Sequence, residues 1–240
     1  MARDSMSLAA FIRKNEYIKG EQNNRRKPLN LFIFPQISVL SQLLILAAVM
    51  YKRRSVLSEM RALAVYFVLC SMVTIIQVLL AMKGMNNLWT AQFFCPIQFA
   101  LLMYVFYAWN RQSKAAALIG YSIPVFVVGW CLSAFLLSNP AYTLTYADPI
   151  SAAAFVLVSS YTLLTLDRHD DSSVTDLPEF WVSSATIMYF GGTLVFSSLQ
   201  TSILRASIQT MQLAWALQAV VNILANLLYA GGFLCLRRKT

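Results

Sequence analysis

The chain has 240 residues, of which 58% are hydrophobic and 12% charged. Soluble domains carry roughly a quarter charged residues, and no soluble fold of this length can hide so much apolar surface, so the excess must face lipid. The net charge of +9 does not indicate nucleic acid, because the basic residues sit in short clusters between long apolar runs, the pattern of membrane flanks.

Residues 1–28 are polar and basic and end in Asn23-Asn24-Arg25-Arg26-Lys27-Pro28. Apolar residues are as sparse there as Ala9, Phe11, Tyr17 and Ile18, so the stretch reads as a loose tail. The apolar run behind it is too long for the h-region of a cleavable signal peptide and has no small-x-small cleavage site, so it reads as a helix retained in the membrane. A helix needs about 20 apolar residues to cross the hydrocarbon core. Seven stretches qualify, at about 29–51, 62–82, 88–109, 115–138, 147–166, 180–204 and 211–236. They predict an all-α polytopic bundle of seven transmembrane helices with no soluble domain. Short connections predict that successive helices are antiparallel neighbours. Every Lys, Arg and Glu lies outside these stretches, and Asp148 falls at the edge of the fifth, where it is expected to cap the helix near the interface.

Punctuation supports the cuts. Lys52-Arg53-Arg54 closes the first helix and Arg237-Arg238-Lys239 the last, where cations suit helix C-termini. Asp176-Leu177-Pro178-Glu179 opens the sixth with an acidic cap and a proline in the first turn. Trp89, Trp109, Tyr142, Tyr146 and Trp181 lie near predicted ends, as an aromatic belt requires. The loops after the first, third and fifth helices, together with the C-terminus, carry ten basic residues, against two, Lys83 and Arg205, in the loops opposite. This bias places the C-terminus in the cytoplasm, with the helices in the plasma membrane. The tail adds seven cations to the other side, and Arg25, Arg26 and Lys27 pull against that orientation.

Missing chemistry narrows the function. The sole histidine, His169, lies in the loop Asp167-Arg168-His169-Asp170-Asp171, which reads as a solvated polar loop. A Ser–His dyad, a bis-histidine haem and a histidine-rich metal site are therefore unavailable within the membrane. The last helix has no lysine for a retinal Schiff base. GxSxG, HExxH, P-loop and GxGD patterns are absent. Cys70, Cys95, Cys131 and Cys235 each fall in an apolar run without CxxC spacing and read as small buried hydrophobes. No catalytic residue, cofactor or metal is expected.

The polar residues within the spans are the candidate site. Ser183, Thr186, Thr193, Ser197 and Gln200 recur on one face of the sixth helix around Gly191-Gly192, which would let a neighbour approach closely. Gln218, Asn222, Asn226 and Tyr229 follow one face of the seventh, and Gln77 and Gln98 lie deep in the second and third. Such groups commonly hold helices together, at about 0.6 kcal/mol each. The functional alternative is a polar cavity between the sixth and seventh helices that binds a small or lipophilic ligand through Ser183, Thr186, Thr193, Ser197, Gln218, Asn222, Asn226 and Tyr229, with Gln98 as a further contact.

Several segments together carry a resemblance. They are Tyr51-Lys52-Arg53-Arg54-Ser55, Asn86-Asn87-Leu88-Trp89, Pro96-Ile97-Gln98-Phe99, Tyr104-Val105-Phe106-Tyr107, Leu177-Pro178-Glu179-Phe180-Trp181-Val182, Tyr189-Phe190-Gly191-Gly192 and the run from Val221 to Phe233 with Cys235. Over about residues 30–236 the chain resembles a family of bacterial seven-helix integral membrane proteins with no assigned activity. The resemblance implies the architecture and no catalytic residues. Family members often carry a glutamate where Gln98 stands and sometimes where Gln77 stands, so this chain departs from any proton-coupled carboxylate at those positions. They also begin almost directly with the first helix, unlike the 28-residue tail. Separately, Pro35-Gln36 resembles the Pro-Gln pair of PQ-loop transporters, but Ala147-Asp148-Pro149-Ile150 stands where a second pair is expected.

The leading expectation is a non-enzymatic, receptor-like or accessory protein among membrane lipids, acting with another membrane or signalling protein and without nucleic acid. The alternative is a small-solute transporter, which should show an internal repeat and a broken helix.

Overall fold

The computed structural model describes residues 33–52, 58–136, 140–166, 173–205 and 208–236. The expected tail, His169 and the Arg237-Arg238-Lys239 cluster lie outside these residues. The described residues form seven α-helices: α1 (Ile33–Lys52), α2 (Ser58–Met82), α3 (Leu88–Trp109), α4 (Ala116–Leu136), α5 (Pro140–Leu164), α6 (Pro178–Arg205) and α7 (Ile208–Leu234). A single 3-10 turn, Val174–Asp176, leads into α6. Six helices are long and apolar enough to cross a membrane, and α1 adds a shorter apolar stretch, Gln36–Lys52. The protein is a multi-pass, all-helical membrane bundle. Large apolar side chains such as Leu40, Leu44, Ile75, Leu118, Val125 and Leu157 point outward, as a lipid-facing surface requires.

Most boundaries fall within a few residues of those predicted, but α5 does not. It begins at Pro140, seven residues before the expected 147. Proline at a first helical position forfeits no hydrogen bond, and the helix then runs through Tyr142, Thr143, Thr145 and Tyr146, which are too polar to register as an apolar span. Asp148 is therefore not a cap: it lies two turns inside the helix.

Packing order also departs from chain order. α1 packs on α7 more extensively than on α2, and α3 packs on α5 as well as on α2 and α4. With α5 against α6 and α6 against α7, six helices close a ring, α1–α2–α3–α5–α6–α7. α4 stands outside it, against α3 and α5, with Ile119 as its one buried residue. Successive helices do contact one another, as expected, and the first packs on the last nearly as extensively as α6 does on α7. The ends are tied directly. Lys52 Nζ donates to the Leu236 carbonyl at 2.8 Å, and Asn110 Nδ2 donates to Thr162 Oγ1 at 2.8 Å. C-terminal ends thus meet C-terminal ends, so α1 runs parallel to α7 and α3 runs parallel to α5.

Two aromatic clusters fill the ring. In one, Phe126 of α4 stacks on Phe99 of α3 with centroids 3.9 Å apart, Phe99 meets Phe155 of α5 at 5.3 Å, and Phe155 meets Phe190 of α6 at 4.4 Å. In the other, Phe94 of α3 stacks on Tyr66 of α2, and the neighbouring Phe67 presses edge-on against Tyr229 and Phe233 of α7. Such pairs contribute about 0.5–1.5 kcal/mol beyond the area they bury.

The two adjacent glycines of α6 have different surroundings. A Cβ on Gly192 would come within 2.8 Å of Val221 Cγ1 on α7, whereas one on Gly191 would meet nothing within 4 Å. Valine is stiff at χ1 and cannot yield cheaply. Gly192→Val is therefore expected to lower unfolding stability in mixed micelles by about 1–3 kcal/mol, as overpacking does. Gly191→Ala should stay within about 0.5 kcal/mol of the parent.

Candidate functional site

A cavity of about 230 Å³ opens inside the ring, lined by residues of α1, α2, α3, α5 and α6. Its position follows from local sequence. On the parallel pair α3 and α5, Cys95-Pro96 and Asp148-Pro149 stand at nearly the same distance from their helix starts. Each proline lacks a backbone donor and crowds the carbonyl one turn back, so neither helix packs there as a regular cylinder. Small residues, Ala91 on α3 with Ser151 and Ala152 on α5, leave the space unfilled.

Polar groups converge on that space. Gln42 reaches it from α1, Thr74 and Gln77 from α2, Gln98 from α3, and Thr193 from α6. Asp148 supplies a carboxyl group, and the Cys95 thiol lines the same space. Phe94, Tyr189 and Phe190 furnish aromatic surface from the two clusters. Among the described lining residues there is no Lys, Arg or His. Among the described residues no three His, Cys, Asp or Glu side chains gather as metal ligands would.

The depth is set by helix geometry. At 1.5 Å of rise per residue, Asp148 lies roughly 12 Å from the start of α5 and Gln98 roughly 15 Å from the start of α3. Both helices start on the side of the bundle where α2 ends, so the cavity occupies that half, away from Lys52 and Leu236.

The residues singled out from sequence are dispersed. Only Gln98 and Thr193 line the cavity. Gln218 donates to Asn222 Oδ1 at 3.2 Å and lies 3.4 Å from the Thr193 hydroxyl, so the face it shares with Asn222 does turn toward α6. Asn226 is buried, but it faces α1: its Nδ2 donates to Ser41 Oγ at 2.7 Å. Tyr229 and Thr186 share a hydroxyl–hydroxyl bond of 2.9 Å across α6 and α7. Ser183 is fully buried with no partner for its hydroxyl among the described residues, and Ser197 is half-buried on α6. The side chain of Gln200 lies outside the described residues. The α6–α7 seam is thus a row of helix-to-helix bonds and close glycine packing, and the open polar space lies across α6 from it. Sequence reading weighed Gln77 and Asp148 but missed Gln42, Thr74, Ser151 and Tyr189 as lining groups. A helix start placed at Pro140 would have moved Asp148 inward.

Comparisons with protein-family models, curated proteins and solved structures returned no match.

Because Asn226 bridges to α1 and not to the cavity, Asn226→Leu should cost stability alone. The expected loss is about 1 kcal/mol or less, the scale of one interhelical bond in a membrane. Chemical unfolding in micelles measures it, and any solute-induced stabilisation should be unchanged.

Proposed function

We propose that this chain is a non-enzymatic, receptor-like or accessory membrane protein that binds a small polar solute in the central cavity. The observation that supports it is a space of about 230 Å³ between five helices, four of which bring three glutamines and one aspartate to its lining. A purely structural polar network would close on itself, since unpaired polar groups inside hydrocarbon cost several kcal/mol. Polar groups left facing open space favour an occupant. A solute there would touch α1, α2, α3, α5 and α6 together and so bias their mutual packing, which is how a bound ligand shifts a bundle between two arrangements. The change would pass to a separate membrane or signalling protein.

The family resemblance and the loop charges together support a bacterial inner membrane with the C-terminus in the cytoplasm, which puts the cavity in the periplasmic half. Alkaline phosphatase fused after Thr240 is then expected to be inactive, and a cytoplasmic fluorescent reporter there should glow. The reverse pattern overturns the orientation.

A small-solute transporter is the second reading, favoured by the prolines of α3 and α5 beside an intramembrane carboxylate. Proteoliposomes separate the two. Saturable counterflow of any solute would sink the receptor reading. Purified protein should instead show a solute-dependent rise in melting temperature that Gln98→Leu abolishes. Gln98→Leu should leave the solute-free melting temperature unchanged or raised, because binding sites sacrifice stability.

A further inference from the structure

We infer that the solute is a small organic cation, an ammonium compound, with Asp148 as its counter-ion; this rests on the cavity being the binding site proposed above. Asp148 cannot be explained as a helix cap, since it lies two turns inside α5. Nor is it half of an internal ion pair, because no basic side chain shares the cavity among the described residues. Lys52 donates its ammonium to the Leu236 carbonyl at the opposite end, and Lys83, exposed in the turn after α2, does not line the cavity. The Cys95 thiol, which lines the same cavity, is a weak donor and brings no positive charge. A carboxylate inside the bundle is held in its charged form by a positive partner, and no described residue lining the cavity supplies one.

The surroundings fit an ammonium group. Gln42, Gln77 and Gln98 each present an amide oxygen as an acceptor for N–H groups. Phe94, Tyr189 and Phe190 offer aromatic faces of the kind that attract cations in desolvated sites. Among the described residues no group of three His, Cys, Asp or Glu gathers there to hold a metal ion instead. The size is also restrictive. At about 30 Å³ per water the cavity holds about eight waters, so the cation has about that number of non-hydrogen atoms or fewer.

Cys95 lines the cavity beside Asp148 and serves as a built-in reporter. In full-length protein carrying Cys70→Ser, Cys131→Ser and Cys235→Ser, the rates of Cys95 modification by three methanethiosulfonates would be compared: the cationic aminoethyl, the anionic sulfonatoethyl and the neutral methyl reagent. Each rate is normalised to that of a free thiol, which cancels the reagents' intrinsic reactivities, and the ratio of two reagents at the same Cys95 cancels its acidity. The cationic reagent should be favoured over the anionic one by at least about tenfold, as a nearby unscreened carboxylate dictates. Asp148→Asn should bring that ratio close to one, and Asp148→Glu should restore it. Protonated ethanolamine should slow modification by the neutral reagent, while its uncharged counterpart ethylene glycol and sodium chloride at equal concentration should not. Equal rates for the cationic and anionic reagents in the parent overturn the inference. So does protection by ethylene glycol or sodium alone, although the cavity would then still be a binding site. Failure of the neutral reagent to react at all overturns the cavity reading itself. Should Asp148→Asn fail to fold, the charge ratio in the parent and in Asp148→Glu still decides.

Discussion

Within hydrocarbon a polar atom has no water to fall back on, and this constraint shapes every helix of the protein. The hydroxyls show how it is met. Ser71 and Thr74 on α2, Thr162 on α5, and Thr186 and Thr193 on α6 each donate to the carbonyl four residues back, at 2.7–2.9 Å. A hydroxyl satisfied on its own helix is free to accept from a neighbour. Thr186 does so with Tyr229, Thr162 with Asn110 and Thr193 with Gln218. The interhelical bonds are therefore second uses of groups already paired. That makes each one modest in energy and collectively decisive for which faces meet.

Amides carry two donors and an acceptor, more than one local bond can satisfy, and their placement divides the bundle. Asn226 and Asn110 find partners on other helices and seal their seams. Gln42, Gln77 and Gln98 converge on the cavity instead. The same residue types thus serve as adhesive at one depth and as a receptive surface at another. The difference comes from the prolines and small residues of α3 and α5, which leave space unfilled between those helices at that level.

Hydropathy alone makes the helices of this fold readable, because a stretch without Lys, Arg or Glu has few alternatives to a membrane span. The start of α5 was hidden by its own chemistry: Tyr142, Thr143, Thr145 and Tyr146 look like an interfacial loop but continue a helix. The ring order was not readable, since the closure of α1 on α7 depends on pairs such as Asn226 with Ser41, separated by most of the chain. The candidate site was half legible for the same reason. Periodicity finds stripes along one helix, and it correctly turned Gln218 and Asn222 toward α6. A cavity built from one to four residues on each of five helices leaves no stripe to find, so only Gln98 and Thr193 were anticipated as contacts.

The peripheral position of α4 bears on how the ring is threaded. Only 6% of its apolar window is buried inside the protein, and its neighbours already touch without it. Its main contribution is a matter of parity. By carrying the chain back across the bilayer, α4 lets α5 enter from the same face as α3, and that shared direction brings Asp148 level with Cys95. Excising α4 would not leave a six-helix ring with a missing buttress. It would invert α5, α6 and α7 relative to α1, α2 and α3, so that Lys52 and Leu236 ended on opposite faces and the ring had no way to close.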